Sequence, residues 1–216
     1  MSVENRRPLK TRGAGWAKAV ARGLAASGLT PNMISVIGIG FAALGAWAFS
    51  AARFGPEWLW FVAALFIQLR LLANMLDGLV AVEQGKGSAT GPLFNEAPDR
   101  IEDALLLIAA GIACGAPGHG YEATILAFGT AYIRALGGSL GFEQDFVGPM
   151  AKQHRMFVLT LGALLMPFHG NSILEGFSLP GPAPLLIALY VIIIGAALTC
   201  CIRLWRIAQL LKANPK

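Results

Sequence analysis

NMLDGLVAVEQGKGSATGPLFNEAPD, residues 74–99, sets four oxygen-bearing side chains at the facing ends of two apolar segments. Asn74 and Asp77 are spaced i,i+3, and Asn95 and Asp99 i,i+4. If both segments are helical, each pair lies on one helix face, and two such faces can hold a hard divalent cation between them. Polar groups at membrane depth mark function. Between the pairs runs Glu83 to Pro92, rich in Gly and small polar residues, which can bring backbone close to a ligand. Gly78 removes a side chain beside Asp77 and can admit a phosphate or a sugar, or it can serve helix packing alone; both readings stand.

Outward from this stretch the chain is apolar. Of 216 residues 56% are hydrophobic and 13% charged, and the mean hydropathy is +0.61, against roughly 45–50% apolar and about 25% charged in soluble domains. The expectation is an all-α, polytopic membrane protein with six transmembrane helices, near 33–52, 58–82, 101–117, 121–141, 156–174 and 182–205. The third and fifth begin in charged turns, Asn95 to Asp103 and Lys152 to Arg155, which must face protein or water. Small-xxx-small spacings such as Gly38/Ala42 let helices approach closely. In residues 13–27, Trp16, Val20 and Leu24 recur at i,i+4 beside basic Lys18 and Arg22, which predicts an amphipathic helix lying on the membrane. The organisation is thus a basic arm and interfacial helix (1–30), a membrane domain (31–210) and a short cytoplasmic tail (211–216).

Charge asymmetry orients it. With an even number of spans, the basic arm (Arg6, Arg7, Lys10, Arg12, Lys18, Arg22) shares a side with the tail (Arg203, Arg206, Lys212, Lys216). Lys86 in the 83–95 loop and Lys152 and Arg155 after the fourth span fall on that side too, whereas the opposite loops hold only Arg53. The positive-inside rule makes the shared side, and the polar cluster with it, cytoplasmic; a bacterial inner membrane is the expected location. The net charge of +5 is met more simply by anionic headgroups than by nucleic acid, and no nucleic-acid partner is expected. Ala46-Trp47-Ala48 resembles a signal-peptide cleavage site, but what precedes it is too long. Cys114, Cys200 and Cys201 are odd in number, lack C-x-x-C spacing and read as packing residues.

The stretch resembles the signature of the CDP-alcohol phosphatidyltransferases, D-x-x-D-G-x-x-A-R, eight residues, then G-x-x-x-D-x-x-x-D. The spacing is intact, with Asn74, Asp77, Gly78, Ala81, Val82, Gly91, Asn95 and Asp99 at the matching positions. The lead-in Leu29-Thr30-Pro31-Asn32 is also similar, and Tyr132-Ile133-Arg134 and Gly148 to Arg155 resemble acceptor-side segments of members that use phosphorylated acceptors. The resemblance implies a transferase of phospholipid biosynthesis. A hydroxyl acceptor, phosphorylated or not, attacks the β-phosphate of a CDP-alcohol such as CDP-diacylglycerol, and CMP leaves. It implies Mg2+ or Mn2+, one or two ions, held by Asn74, Asp77, Asn95 and Asp99, with Asp99 as general base. Gly78, Ala81 and Gly91 would lie against the CDP-lipid, and Arg134, Lys152 and Arg155 against the acceptor, away from the metals. A homodimer surrounded by membrane lipids is the expected assembly.

Three positions depart from the signature: Asn74 and Asn95 replace Asp, and Val82 replaces Arg. An Asn carbonyl can ligate Mg2+ but brings no charge. Glu83, Glu96 and Asp103 are near enough to compensate, although ion pairing with Arg100 accounts for Glu96 and Asp103. Arg70, one turn before Asn74, can replace the motif Arg or neutralise Asp77. His154 reads as a proton carrier or a plain loop histidine, and Arg203 and Arg206 read as membrane anchors. The alternative function is a catalytically silent relative that binds a CDP-lipid or organises partners. A small-ion transporter is a more distant third.

Overall fold

The computed structural model describes residues 15–83, 90–169 and 183–214, without the side chains of Val82, Glu83, Pro92 and Asn95. Arg6, Arg7, Lys10 and Arg12 of the proposed arm, Lys86, the 170–181 loop and Lys216 lie outside them. Among the described residues the chain is helical: α1 (Gly15–Ala26), α2 (Pro31–Ala52), α3 (Trp58–Glu83), α4 (Gly91–Ala113), α5 (Pro117–Ser139), α6 (Lys152–Leu165), a 3-10 turn (Met166–Phe168) and α7 (Pro184–Ala213). Both motif segments are therefore helical, as the i,i+3 and i,i+4 pairs require.

The Thr30-Pro31 corner starts α2 for a local reason. The Thr30 hydroxyl accepts a hydrogen bond from the Met33 amide, and Pro31 occupies a first-turn position where its missing N–H is no loss. Helix α1 lies against α3. It turns Ala17 and Ala21 inward and leaves Trp16 and Val20 exposed, so these two face away from the protein as an interfacial helix needs, while Leu24 packs against the core.

The six long helices close a ring in the order α2, α4, α5, α7, α6, α3. Small side chains make the seams: Ala42, Ala48, Ala63, Ala110, Ala123, Ala127, Ala163 and Ala196 are all buried. At the α4–α5 crossing a Cβ on Gly111 would lie 2.8 Å from the Gly120 backbone, so only glycine permits that approach. Large apolar residues such as Ile125, Phe157, Ile194 and Trp205 cover the outside, a surface that suits lipid rather than water.

Among the described residues three helices are long and apolar enough to cross a membrane: Pro31–Ala52, Trp58–Ala81 and Pro184–Ala213. Two of the others expected from sequence differ for visible reasons. Helix α4 begins at Gly91, ten residues before the apolar stretch, and so carries Glu96, Asp99, Arg100, Glu102 and Asp103 along its first half. Helix α6 has 14 residues, about 21 Å at 1.5 Å per residue, short of the ~30 Å hydrocarbon layer.

Candidate active site

The polar groups of α3, α4 and α6 meet inside the ring as one chain of charges. On α4, Glu102 and Asp103 are fully buried beside Arg70 of α3, itself 0% exposed. Arg70 Nε donates to Glu102 Oε2 at 2.5 Å and its Nη2 to Asp103 Oδ1 at 2.9 Å. The other Asp103 oxygen accepts from Arg155 Nη2 of α6 at 2.7 Å. Ions taken this far from water persist only when paired and hydrogen-bonded, and these pairs bind three helices to one another.

At the open end of that chain lie the motif residues. The Asn74 side-chain amide is fixed at both ends: its nitrogen donates to Glu102 Oε2 at 2.9 Å, and its carbonyl accepts from Lys152 Nζ at 2.7 Å. The same ammonium donates to both Asp99 oxygens, at 2.6 and 2.7 Å. Arg100 and Arg70 approach Asp99 more loosely, at 3.6 and 3.8 Å. Asp77, buried on α3, accepts from the Ser35 hydroxyl of α2 at 2.8 Å and lies in electrostatic range of Lys152 and Asp99. Pro98 cannot donate to the Phe94 carbonyl, so the helical ladder is interrupted immediately before Asp99.

Lys152 and Arg155 open α6, where the positive end of the helix dipole disfavours cations. Their carboxylate partners on α4 offset that cost. The sequence sets Lys152 on the acceptor side, away from the metals, yet its ammonium contacts Asn74 and Asp99 of the motif itself. Arg155 is also buried rather than displayed at the surface, because Asp103, the Thr130 hydroxyl and the Met150 carbonyl surround its guanidinium. Arg155→Ala should therefore lower stability before it alters acceptor use. It leaves Asp103 with Arg70 as its close cation partner in a dry site, so the loss falls below the roughly 3–5 kcal/mol that stripping a buried charge of its partner costs in soluble proteins. Thermal unfolding in detergent, compared with acceptor KM, checks this; normal stability with a raised KM would return Arg155 to the acceptor.

Arg134 ion-pairs with Glu96 of α4 and lies over the Phe146 ring. Arg70 pairs with Glu102 and Asp103 rather than with Asp77. Arg203 is not an exposed anchor: buried in α7, it donates to the Val147 and Thr130 carbonyls and holds the loop before α6, while Arg206 pairs with Asp145. His154 bonds the Pro149 carbonyl. Gly78 and Ala81 lie on α3 one to four residues beyond Asp77, and Gly91 begins α4. The Asn95 side chain is outside the described residues. Sequence reasoning missed Glu102 and Ser35. The i,i+3 step from Asp99 to Glu102 was available as a signal; Ser35 offered none.

The donor set is chemically suited to a hard divalent ion, since Asp77, Asp99 and the Asn74 carbonyl present oxygen only. Among the described residues no cluster of three or more His, Cys, Asp or Glu forms a metal site, so the set relies on the amide as well as the acids.

No protein-family model matches the chain. Among curated proteins, it is 28% identical over 192 residues to the phosphatidylinositol phosphate synthase of Mycolicibacterium smegmatis, covering 84% of this chain and 79% of that one. It is 30% identical over 155 residues to the enzyme of the same name from Cutibacterium acnes, covering 67% and 72%. Its fold matches the crystal structure of Mycobacterium tuberculosis phosphatidylinositol phosphate synthase with CDP-DAG bound, with a TM-score of 0.73 at 24% identity over 90% of this chain and 94% of that one. The structure of that synthase in complex with manganese and citrate gives 0.71 at 22% identity, covering 88% of each chain.

Proposed function

The chain belongs to the CDP-alcohol phosphatidyltransferase family, and from that premise we propose how its residues carry out the transfer. It is a phosphotransferase of phospholipid synthesis, which moves a phospho-alcohol group from a CDP-alcohol to a hydroxyl acceptor with release of CMP; the silent-relative alternative is not favoured. The observation that carries the reading is the convergence of Asn74 from α3 and Asp99 from α4 on one point, with Asp77 in range.

Asp77, Asp99, Asn74 and Asn95 would hold Mg2+ or Mn2+. When bound, the metal supplies positive charge to the donor's diphosphate and to the departing CMP. The protein does the rest. Gly78, Ala81 and Gly91 leave room for the CDP-lipid between α3 and α4. The acceptor hydroxyl attacks the β-phosphorus, the bond from that phosphorus to the bridging oxygen breaks, CMP leaves, and Asp99 takes the hydroxyl proton. Ser35 positions Asp77 through its hydrogen bond. Arg134 meets an anionic acceptor, for which a guanidinium offers paired contacts. Arg155 acts at one remove, by holding α6 against α4. CMP release from CDP-diacylglycerol, screened against glycerol phosphate, inositol phosphate and serine, tests the function; failure with every donor and acceptor would leave the silent relative.

Six spans, a homodimer and a cytoplasmic active site complete the proposal. The basic residues of the amino-terminal segment and of α7 support the orientation. Introduced cysteines should react from the cytoplasm near both termini and near residue 90, and from the other side near 55 and 118. External labelling near residue 90 would overturn the orientation and the cytoplasmic site with it.

A further inference from the structure

We propose that Lys152 is a resident cation of the metal site, so that the site takes one divalent ion per chain. The inference rests on the metal-dependent reading above. Its ground is geometric: one ammonium contacts three oxygens at 2.6–2.7 Å, from Asn74 on α3 and Asp99 on α4. These contacts join the two ligand helices through the first residue of a third, α6. An ammonium presents three donors, and here three short contacts engage it.

Charge points the same way. Two of the four motif positions are Asn, so their acids reduce to Asp77 and Asp99. The ammonium returns one positive charge, which leaves a site matched to a single ion. A second ion would have to displace Lys152 from both Asp99 oxygens and from the Asn74 carbonyl. That carbonyl is aimed at Lys152 because the other end of the amide is fixed on Glu102, itself locked to Arg70. The asparagine and the lysine therefore act as one device: the amide orients an uncharged oxygen toward a cation that is part of the chain.

The test is a titration of the purified full-length protein with Mn2+, with and without CDP, reading bound ions by equilibrium dialysis and the paramagnetic resonance spectrum. One Mn2+ per chain without spin–spin broadening is expected. Two coupled ions would overturn the proposal and leave the metal-dependent function intact; no bound ion at millimolar Mn2+ would overturn both. Lys152→Met should bind its first ion about tenfold tighter or more, the scale of removing a like charge at contact distance in a partly buried site, and should admit a second ion at higher Mn2+. Lys152→Arg should stay near the wild-type affinity. Unchanged affinity in Lys152→Met, with thermal unfolding showing a folded protein, would also overturn the proposal.

Discussion

Asp99→Asn should abolish CMP release, by about 10²–10⁴-fold or more, the range associated with losing a positioned general base. The substitution keeps the size and one ligand oxygen but removes the charge that draws Lys152 to the site through two contacts. Binding of CDP-diacylglycerol should remain measurable, because Glu102, Asp103, Arg70 and Arg155 still fasten α3, α4 and α6 without Asp99. Single-turnover CMP release and donor binding, measured on the same preparation, separate the two effects. Turnover within tenfold of wild type would exclude Asp99 as the base.

Asn74→Asp restores the residue type of the family signature, and it should nevertheless reduce stability and lower activity by about tenfold or more, the scale of leaving a buried polar group without its partner. The new carboxylate would face Glu102 at 2.9 Å, where the amide now donates, and Lys152 at 2.7 Å. Distance does not choose between repulsion and attraction. Burial does: the Glu102 side chain is 0% exposed and that of Lys152 is 25% exposed, so water screens the attraction more than the repulsion. Loss of the donor to a buried carboxylate adds to the cost. Adding Glu102→Gln should recover much of the loss, since it removes the negative charge the introduced carboxylate would face, while a Gln carbonyl in the place of Oε2 still accepts from Arg70. Thermal unfolding and CMP release of the two single variants and the double variant make a cycle. If Asn74→Asp alone matches or exceeds wild type, Glu102 does not hold Asn74, and the site is a conventional one weakened by amides.

The chain shares its helical arrangement with the M. tuberculosis synthase over nine-tenths of its length, yet at the signature itself two amides stand where the family has acids. Buried charge is not simply reduced: Glu102 lies within hydrogen-bonding distance of one of the amides. A carboxylate in effect stands one layer deeper, against Arg70, where it fixes the Asn74 amide.

Composition, together with apolar stretches about 20 residues long, marked the chain as a protein of membrane helices, because soluble domains carry less apolar and more charged sequence. Spacing alone determined that each motif pair shares one helix face, because i,i+3 and i,i+4 steps on a helix are fixed by its pitch. The basic first turn of α6 was also legible, but its destination was not. Lys152 meets Asn74 and Asp99 across 78 and 53 residues of sequence, Arg155 meets Asp103 across 52, and Ser35 meets Asp77 across 42. Local pattern tells which face of a helix carries a charge, not which helix will lie opposite; that is set by the ring order, in which α3 has α6 on one side and α2 on the other. A lysine at the end of a span serves equally as a lipid anchor or an ion-pair partner until packing brings a carboxylate within reach. Only the tertiary structure made that choice, because the desolvation that makes such pairings obligatory exists only once the helices have closed around them.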